Sequence, residues 1–247
     1  MEFILASLAG TFIGAVLGFI GAGGAMLTVP ILIYIFKFTP AAATTAALAV
    51  VFVAALAGAV PKARAKAILY KEVFLIWSLG LITNVGASLL AHKLSPSAIT
   101  SGFSIILLAA GTSMLRRPIE RPQTRISISK LVLLSLLIGC ITGLFGIGGG
   151  FVVIPLLTLA FGTPLNVAAG TSLAVIAANS LTAFCGHYAV WSDVDWSIPI
   201  VIAIFAMVIA STTSRINSTV NPRILKKSFA GLLYIVALFT IFKTWVL

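Results

Sequence analysis

Gly18-Phe-Ile-Gly-Ala-Gly-Gly24 stands early in the chain, and Gly143-Leu-Phe-Gly-Ile-Gly-Gly149 stands 125 residues further on. Six positions after each stretch comes a proline, Pro30 in the first case and Pro155 in the second. Thr44-Thr-Ala-Ala-Leu-Ala-Val50 matches Ala169-Gly-Thr-Ser-Leu-Ala-Val175 at the same offset, and Tyr70-Lys-Glu-Val73 matches Trp191-Ser-Asp-Val194 at an offset of 121. Self-similarity at a fixed spacing marks a duplicated structural unit. The chain reads as two related halves, 1–120 and 126–247, joined through a basic 116–130 linker.

The residues around these motifs decide the class. Of 247 residues, 60% are hydrophobic and 9% charged, against roughly 45–50% and 25% in soluble domains. A soluble globular enzyme is excluded. Apolar runs fall at 3–20, 25–37, 40–60, 68–91, 97–115, 131–145, 151–162, 165–186, 197–213 and 228–246. That spacing predicts an all-α polytopic membrane protein with about five helical segments in each half. The second and seventh runs follow the glycines and are short: 25–37 rises only ~20 Å as a helix, less than the ~30 Å hydrocarbon core. They are predicted to be half-helices that begin inside the membrane.

Charge gives the orientation. The net charge is +11, yet 13 of the 16 Lys and Arg sit in three short gaps between apolar runs, at 62–71, 116–130 and 215–227. Short basic loops stay cytoplasmic, so the excess reports topology and no nucleic-acid partner is expected. Behind the third run the first half carries Lys62, Arg64, Lys66 and Lys71, where the second half holds Asp193 and Asp195 and no base. Between the fourth and fifth runs the bias reverses, with His92 and Lys93 against Arg215, Arg223, Lys226 and Lys227. Equivalent loops of opposite bias lie on opposite faces, so the halves are predicted to be inverted repeats. Both termini then fall outside and the linker inside, whether each half makes five crossings or three plus a re-entrant pair.

Inverted repeats with interrupted helices are the architecture of secondary transporters. Gly21, Gly23 and Gly24 precede one short helix; Gly146, Gly148, Gly149 and Gly150 precede the other. A helix starting there exposes backbone N–H groups and the positive end of its dipole, which suits an anion. Tight helix packing through small residues is the competing explanation. Neutral donors are available nearby: Thr44 and Thr45 in the first half, and Asn166, Thr171, Ser172, Asn179, Ser180 and Thr182 in the second, with Thr171 and Ser172 in the repeated segment. A dinucleotide site is dismissed, because Met26 and Phe151 replace the last glycine of that pattern.

All five carboxylates, Glu2, Glu72, Glu120, Asp193 and Asp195, lie outside the middle of the apolar runs. A cation pump or buried carboxylate relay is therefore not expected. His187, Glu72 and Asp193 are the candidates for coupling to protons, His187 because imidazole titrates near neutrality. Cys185, His187, Asp193 and Asp195 form too short a cluster for a metal or a nucleophilic centre. No enzyme activity, metal or cofactor is expected. The partners expected are a small anion and the bilayer, and a homo-oligomer is compatible with the sequence.

The residues resemble the sulfite exporter TauE/SafE family of membrane permeases. The likeness rests on both glycine motifs with Pro30 and Pro155, on Ala169-Gly-Thr-Ser-Leu173 and on Val194-Asp195-Trp196, and it covers nearly the whole chain. It implies a multi-pass permease of the inner (plasma) membrane that moves sulfite, organosulfonates or related anions. A passive anion channel, a transporter of another small organic anion and a membrane scaffold are the alternatives. The first half departs from the pattern, with Ala25 where the second has Gly150 and Thr45-Ala46-Ala47 where it has Gly170-Thr171-Ser172.

Overall fold

The computed structural model describes residues 1–91, 96–115, 127–145, 150–216 and 221–245. Gly146, Gly148, Gly149 and the 116–126 part of the linker lie outside the described residues, as do His92 and Lys93. The described residues form α1 (Glu2–Ile20), α2 (Gly24–Tyr34), α3 (Pro40–Arg64), α4 (Tyr70–Ala91), α5 (Pro96–Leu115), α6 (Ile128–Phe145), α7 (Gly150–Phe161), α8 (Leu165–Gly186), α9 (Ser197–Ile216) and α10 (Pro222–Trp245), with a 3-10 turn at Tyr188–Asp193 between α8 and α9. Each apolar run of the sequence coincides with a helix over most of its described length, and no strand occurs among the described residues. Glu2–Ile20, Ala41–Arg64, Leu165–Gly186 and Ser197–Ile216 are long and apolar enough to cross a membrane.

Local chemistry sets the helix ends. α1 stops at Gly21, whose φ of 79° lets its N–H reach the Leu17 carbonyl at 2.7 Å. Gly23, with φ 90°, starts α2; left-handed backbone is cheap only for glycine. Thr39 caps α3 by accepting from the Ala42 N–H at 3.4 Å, with Pro40 in the first turn, where a missing N–H costs nothing. α2 and α7 have 11 and 12 residues, rising only ~16–18 Å. Pro30 and Pro155 lie inside them. The expected short helices are present.

The chain divides into two compact units, each drawing on both sequence halves: Met1–Val73 with Asn166–Thr219, and Phe74–Leu165 with Val220–Leu247. In the first unit α1 lies on α9, and both surfaces are small. A Cβ on Gly10, Gly14 or Gly18 would stand 2.5 Å from the carbonyl oxygen of Ile202, Ala206 or Ala210. The packing reading of glycine thus holds for Gly18, the first residue of the repeated motif: small residues four apart let two backbones touch. α3 lies on α9 as well, through Ala43, Ala47, Val50, Ala54 and their neighbours in one buried cluster. The Ser214 hydroxyl ties the two by donating to the Gly58 carbonyl at 2.6 Å.

The second unit repeats the device. Gly139 of α6 sits against Gly80 and Thr83 of α4, too close for any Cβ. α5 packs along α10, where the Thr112 and Tyr234 hydroxyls meet at 2.9 Å. Large apolar side chains such as Phe3, Phe12, Ile82, Ile204 and Ile235 point outward, as lipid contact requires and water would penalise.

Candidate functional site

The Gly21 turn and α8 build one end of the first unit. A Cβ on Gly21 would fall 2.6 Å from the Ala169 Cβ, so the turn rests directly on the repeated Ala169-Gly-Thr-Ser-Leu173 segment. The next residue, Gly170, is covered from the other side by Lys62 and by the Ala67 carbonyl; a Cβ there would stand 3.0 Å from the Lys62 Cβ. Lys62 is 2% exposed, whereas its neighbours Arg64, Lys66 and Lys71 are exposed. Its ammonium donates to the Asn166 Oδ1 one turn earlier on α8. The structure thus gathers Gly21, Thr171, Ser172, Asn166 and a buried cation at one end of α3 and α8. Gly23 and Gly24 follow the same turn into α2, whose first turn has no side-chain cap.

α1 runs 19 residues before the turn, a rise of ~28 Å. The Gly21 turn is at the far end of α1 from Met1, beside the Lys62 end of α3, not midway along either helix.

Hydroxyls are committed as well. Thr171 donates to the Val167 carbonyl at 2.8 Å and accepts from the Leu69 N–H at 3.1 Å. It fastens the segment behind α3 onto α8. Thr171 and Ser172 are both buried. Asn179 lies two turns further along α8 and is half-buried. Ser180, beside it, is 1% exposed, and its hydroxyl has no hydrogen-bond partner among the described residues.

Thr45 is at the opposite end. It lies 17 residues before Lys62 on α3, ~26 Å away along the helix. There its hydroxyl lies 2.9 Å from the Ala41 carbonyl and 3.0 Å from the His187 Nδ1, just beyond α8. The two halves' hydroxyls are therefore not gathered into one cradle. Thr44 shares the Thr45 turn, and Gly150 is the first residue of α7 in the other unit.

His187 is positioned by an aromatic clasp. Trp191 stacks on Phe184 with centroids 4.6 Å apart, and Trp196 meets the same ring edge-on at 5.9 Å. The Trp191 indole donates to the Phe184 carbonyl, and the Trp196 indole to the Trp191 carbonyl, each at 3.1 Å. Aromatic residues of this kind favour the membrane–water boundary. Asp193 is exposed and takes a 3.3 Å hydrogen bond from Ser192; Glu72 is in the first turn of α4. Two residues after Asp193, the Ser197 hydroxyl and N–H hold the Asp195 carboxyl below its ordinary range. Among the described residues no group of three His, Cys, Asp or Glu converges.

The two ends are related. Lys62 and His187 are 125 positions apart, and so are Thr45 and Gly170. The contact of Lys62 with Gly170 becomes the contact of His187 with Thr45 when each half is exchanged for the other. Sequence reading had placed Lys62 with its exposed neighbours; the signal for it was that same spacing from His187.

Comparisons with known proteins agree with the resemblance. The family described as "Sulfite exporter TauE/SafE" matches residues 6–240. A "Probable membrane transporter protein" of Xylella fastidiosa is 25% identical over 245 residues, covering 96% of this chain and 94% of its own. One from Methanocaldococcus jannaschii is 28% identical over 249 residues, at 94% and 92%. One from Bacillus subtilis is 26% identical over 225 residues, at 79% and 81%. No solved structure matches the chain.

Proposed function

The chain belongs to the sulfite exporter TauE/SafE family, and on that premise we propose that it is a secondary transporter that moves small sulfur-containing anions, sulfite or organosulfonates, by alternating access. The observation that carries the reading is the end of α3 and α8 where the Gly21 turn, the Ala169–Ser172 segment and the buried Lys62 ammonium come together. Backbone N–H groups at the uncapped start of α2 add the positive end of a helix dipole. Such a site suits an anion.

The architecture proposed is a pair of inverted repeats in the inner membrane, with both termini outside. Two observations support it: the reversed charge bias of equivalent loops, and the exchange of Lys62–Gly170 for His187–Thr45 under the 125-residue shift. A contact between residues i and j that recurs with the halves swapped is what a two-fold axis produces. At the opposite end of α3 and α8, the equivalent contact is that of Thr45 with His187. Coupling is proposed to use the proton that sulfite itself carries near neutrality, with His187, Glu72 and Asp193 as the alternative carriers. Uptake of radiolabelled sulfite and of a sulfonate such as taurine into proteoliposomes tests the substrate class. Uptake above protein-free vesicles supports it; none with either compound contradicts it.

A further inference from the structure

We propose that Lys62 is an anion-recognition residue, whose ammonium exchanges the Asn166 amide oxygen for an oxygen of the transported oxyanion. The assignment rests on the transport reading above and names the group that would read the substrate's charge.

Burial comes first. A lysine at the end of a helix ordinarily extends its ammonium into water along its flexible stem, as the exposed Lys66 and Lys71 do. Lys62 is instead 2% exposed. Withdrawing an ammonium from water is costly, a cost that a merely orienting loop charge has no reason to bear.

The chemistry of the contact is the second point. An ammonium only donates, so the oxygen of the Asn166 amide must face it, and the two N–H donors stand on the other branch of the same group. An amide oxygen is a neutral acceptor and is exchangeable for a charged one. An oxyanion entering beside Asn166 finds a cationic donor and a neutral donor on adjacent groups. Charge-assisted hydrogen bonds of this kind are roughly twice as strong as neutral ones.

Placement is the third. Gly170 has no side chain to separate Lys62 from α8, and Ala169, the residue before it, carries the Gly21 turn. The equivalent position in the other half is His187, also a nitrogen base that contacts the start of the partner helix. Two basic side chains at equivalent places, one at each end of α3 and α8, fit an anion that must be received from either side.

Asn166→Asp tests the proposal. It sets a carboxylate against the ammonium, which leaves the Lys62 contact intact or stronger and fills the place of the anion. The thermal midpoint of purified Asn166→Asp protein should equal or exceed that of the unaltered protein. Its dissociation constant for sulfite, measured by calorimetry, should rise at least tenfold, and so should KM for uptake. Lys62→Gln should lose affinity to the same degree, while Lys62→Arg, which keeps the cation, should retain measurable binding. If the unaltered protein transports sulfite and Asn166→Asp binds it equally well, Lys62 has only a structural role and the proposal falls. If the unaltered protein neither binds nor transports sulfite or taurine, the transport reading itself falls, and Lys62 with it.

Discussion

Thr45 and His187 stand to each other as Gly170 and Lys62 do. The Thr45 hydroxyl is 3.0 Å from the His187 Nδ1, and Gly170 lies under the Lys62 stem at the opposite end of the same two helices. α3 and α8 run antiparallel, so a side chain just past or near the end of each one reaches the first turns of the other. The two ends are not chemically alike. Lys62 brings a cation that only donates, whereas the imidazole of His187 also accepts in its neutral form.

Close packing of α1 on α9 carries a stability prediction. Gly14→Ala would set a Cβ 2.5 Å from the Ala206 carbonyl oxygen and 2.8 Å from its Cα, and backbone atoms cannot swing aside. Overpacking costs about 1–3 kcal/mol, so the thermal midpoint and the folded yield should both fall. Gly231→Ala on α10 meets nothing within 4 Å and should leave the midpoint level or slightly raised, because alanine favours helix. Equal effects of the two changes would contradict the packing.

Thr171→Val separates a fastening role from a binding one. The hydroxyl accepts from the Leu69 N–H, and valine would leave that donor unsatisfied at a cost of about 1–3 kcal/mol. A lower thermal midpoint with a near-normal sulfite affinity per folded molecule is expected. An unchanged midpoint with a tenfold loss of affinity would place the hydroxyl on the substrate instead.

Asp195 gives a pH dependence. Hydrogen bonds from the Ser197 hydroxyl and N–H lower its carboxyl from the ordinary value of 3.8. A lowered folded-state value means the ionised form stabilises the fold. The contribution is complete well above that ordinary value and is lost as pH falls through the lower one. Asp195→Ala should therefore reduce the thermal midpoint at pH 7, and the gap should begin to narrow below about pH 4 and close only below the lowered folded-state value. A gap that persists in strong acid would assign the effect to something other than this carboxylate.

Among the described residues the helices, including the two short ones, were legible because glycine turns, prolines and apolar run lengths are local signals. Lys62 was not legible by composition. It sits among Arg64, Lys66 and Lys71, and only helix phase and the approach of Gly170 turn it inward. Thr171 donates locally to the Val167 carbonyl, but the Leu69 N–H that it accepts from is 102 residues away in sequence and was not legible. Gly18 opens the repeated motif, and its position one turn before Gly21 places it in the Gly10, Gly14, Gly18 ladder against α9. Thr45 matched the Thr171 region in sequence, but antiparallel packing of the repeated helices sends equivalent residues to opposite ends.

Orientation has its own test. A single cysteine at Ser192, exposed in the 3-10 turn, should react with an impermeant maleimide added outside intact cells, as should one at Ser95. One at Gln123 should not. Labelling at Gln123 from outside would contradict the inverted arrangement.

Counterflow reads alternating access most directly. Proteoliposomes preloaded with unlabelled sulfite and diluted into a trace of labelled sulfite should accumulate label transiently above its outside concentration, because a carrier that returns loaded exchanges one anion for another. The overshoot should vanish when the vesicles hold no sulfite, and shrink with Asn166→Asp. Label that only equilibrates, with no overshoot at any preload, would mean a passive channel and would contradict transport by alternating access.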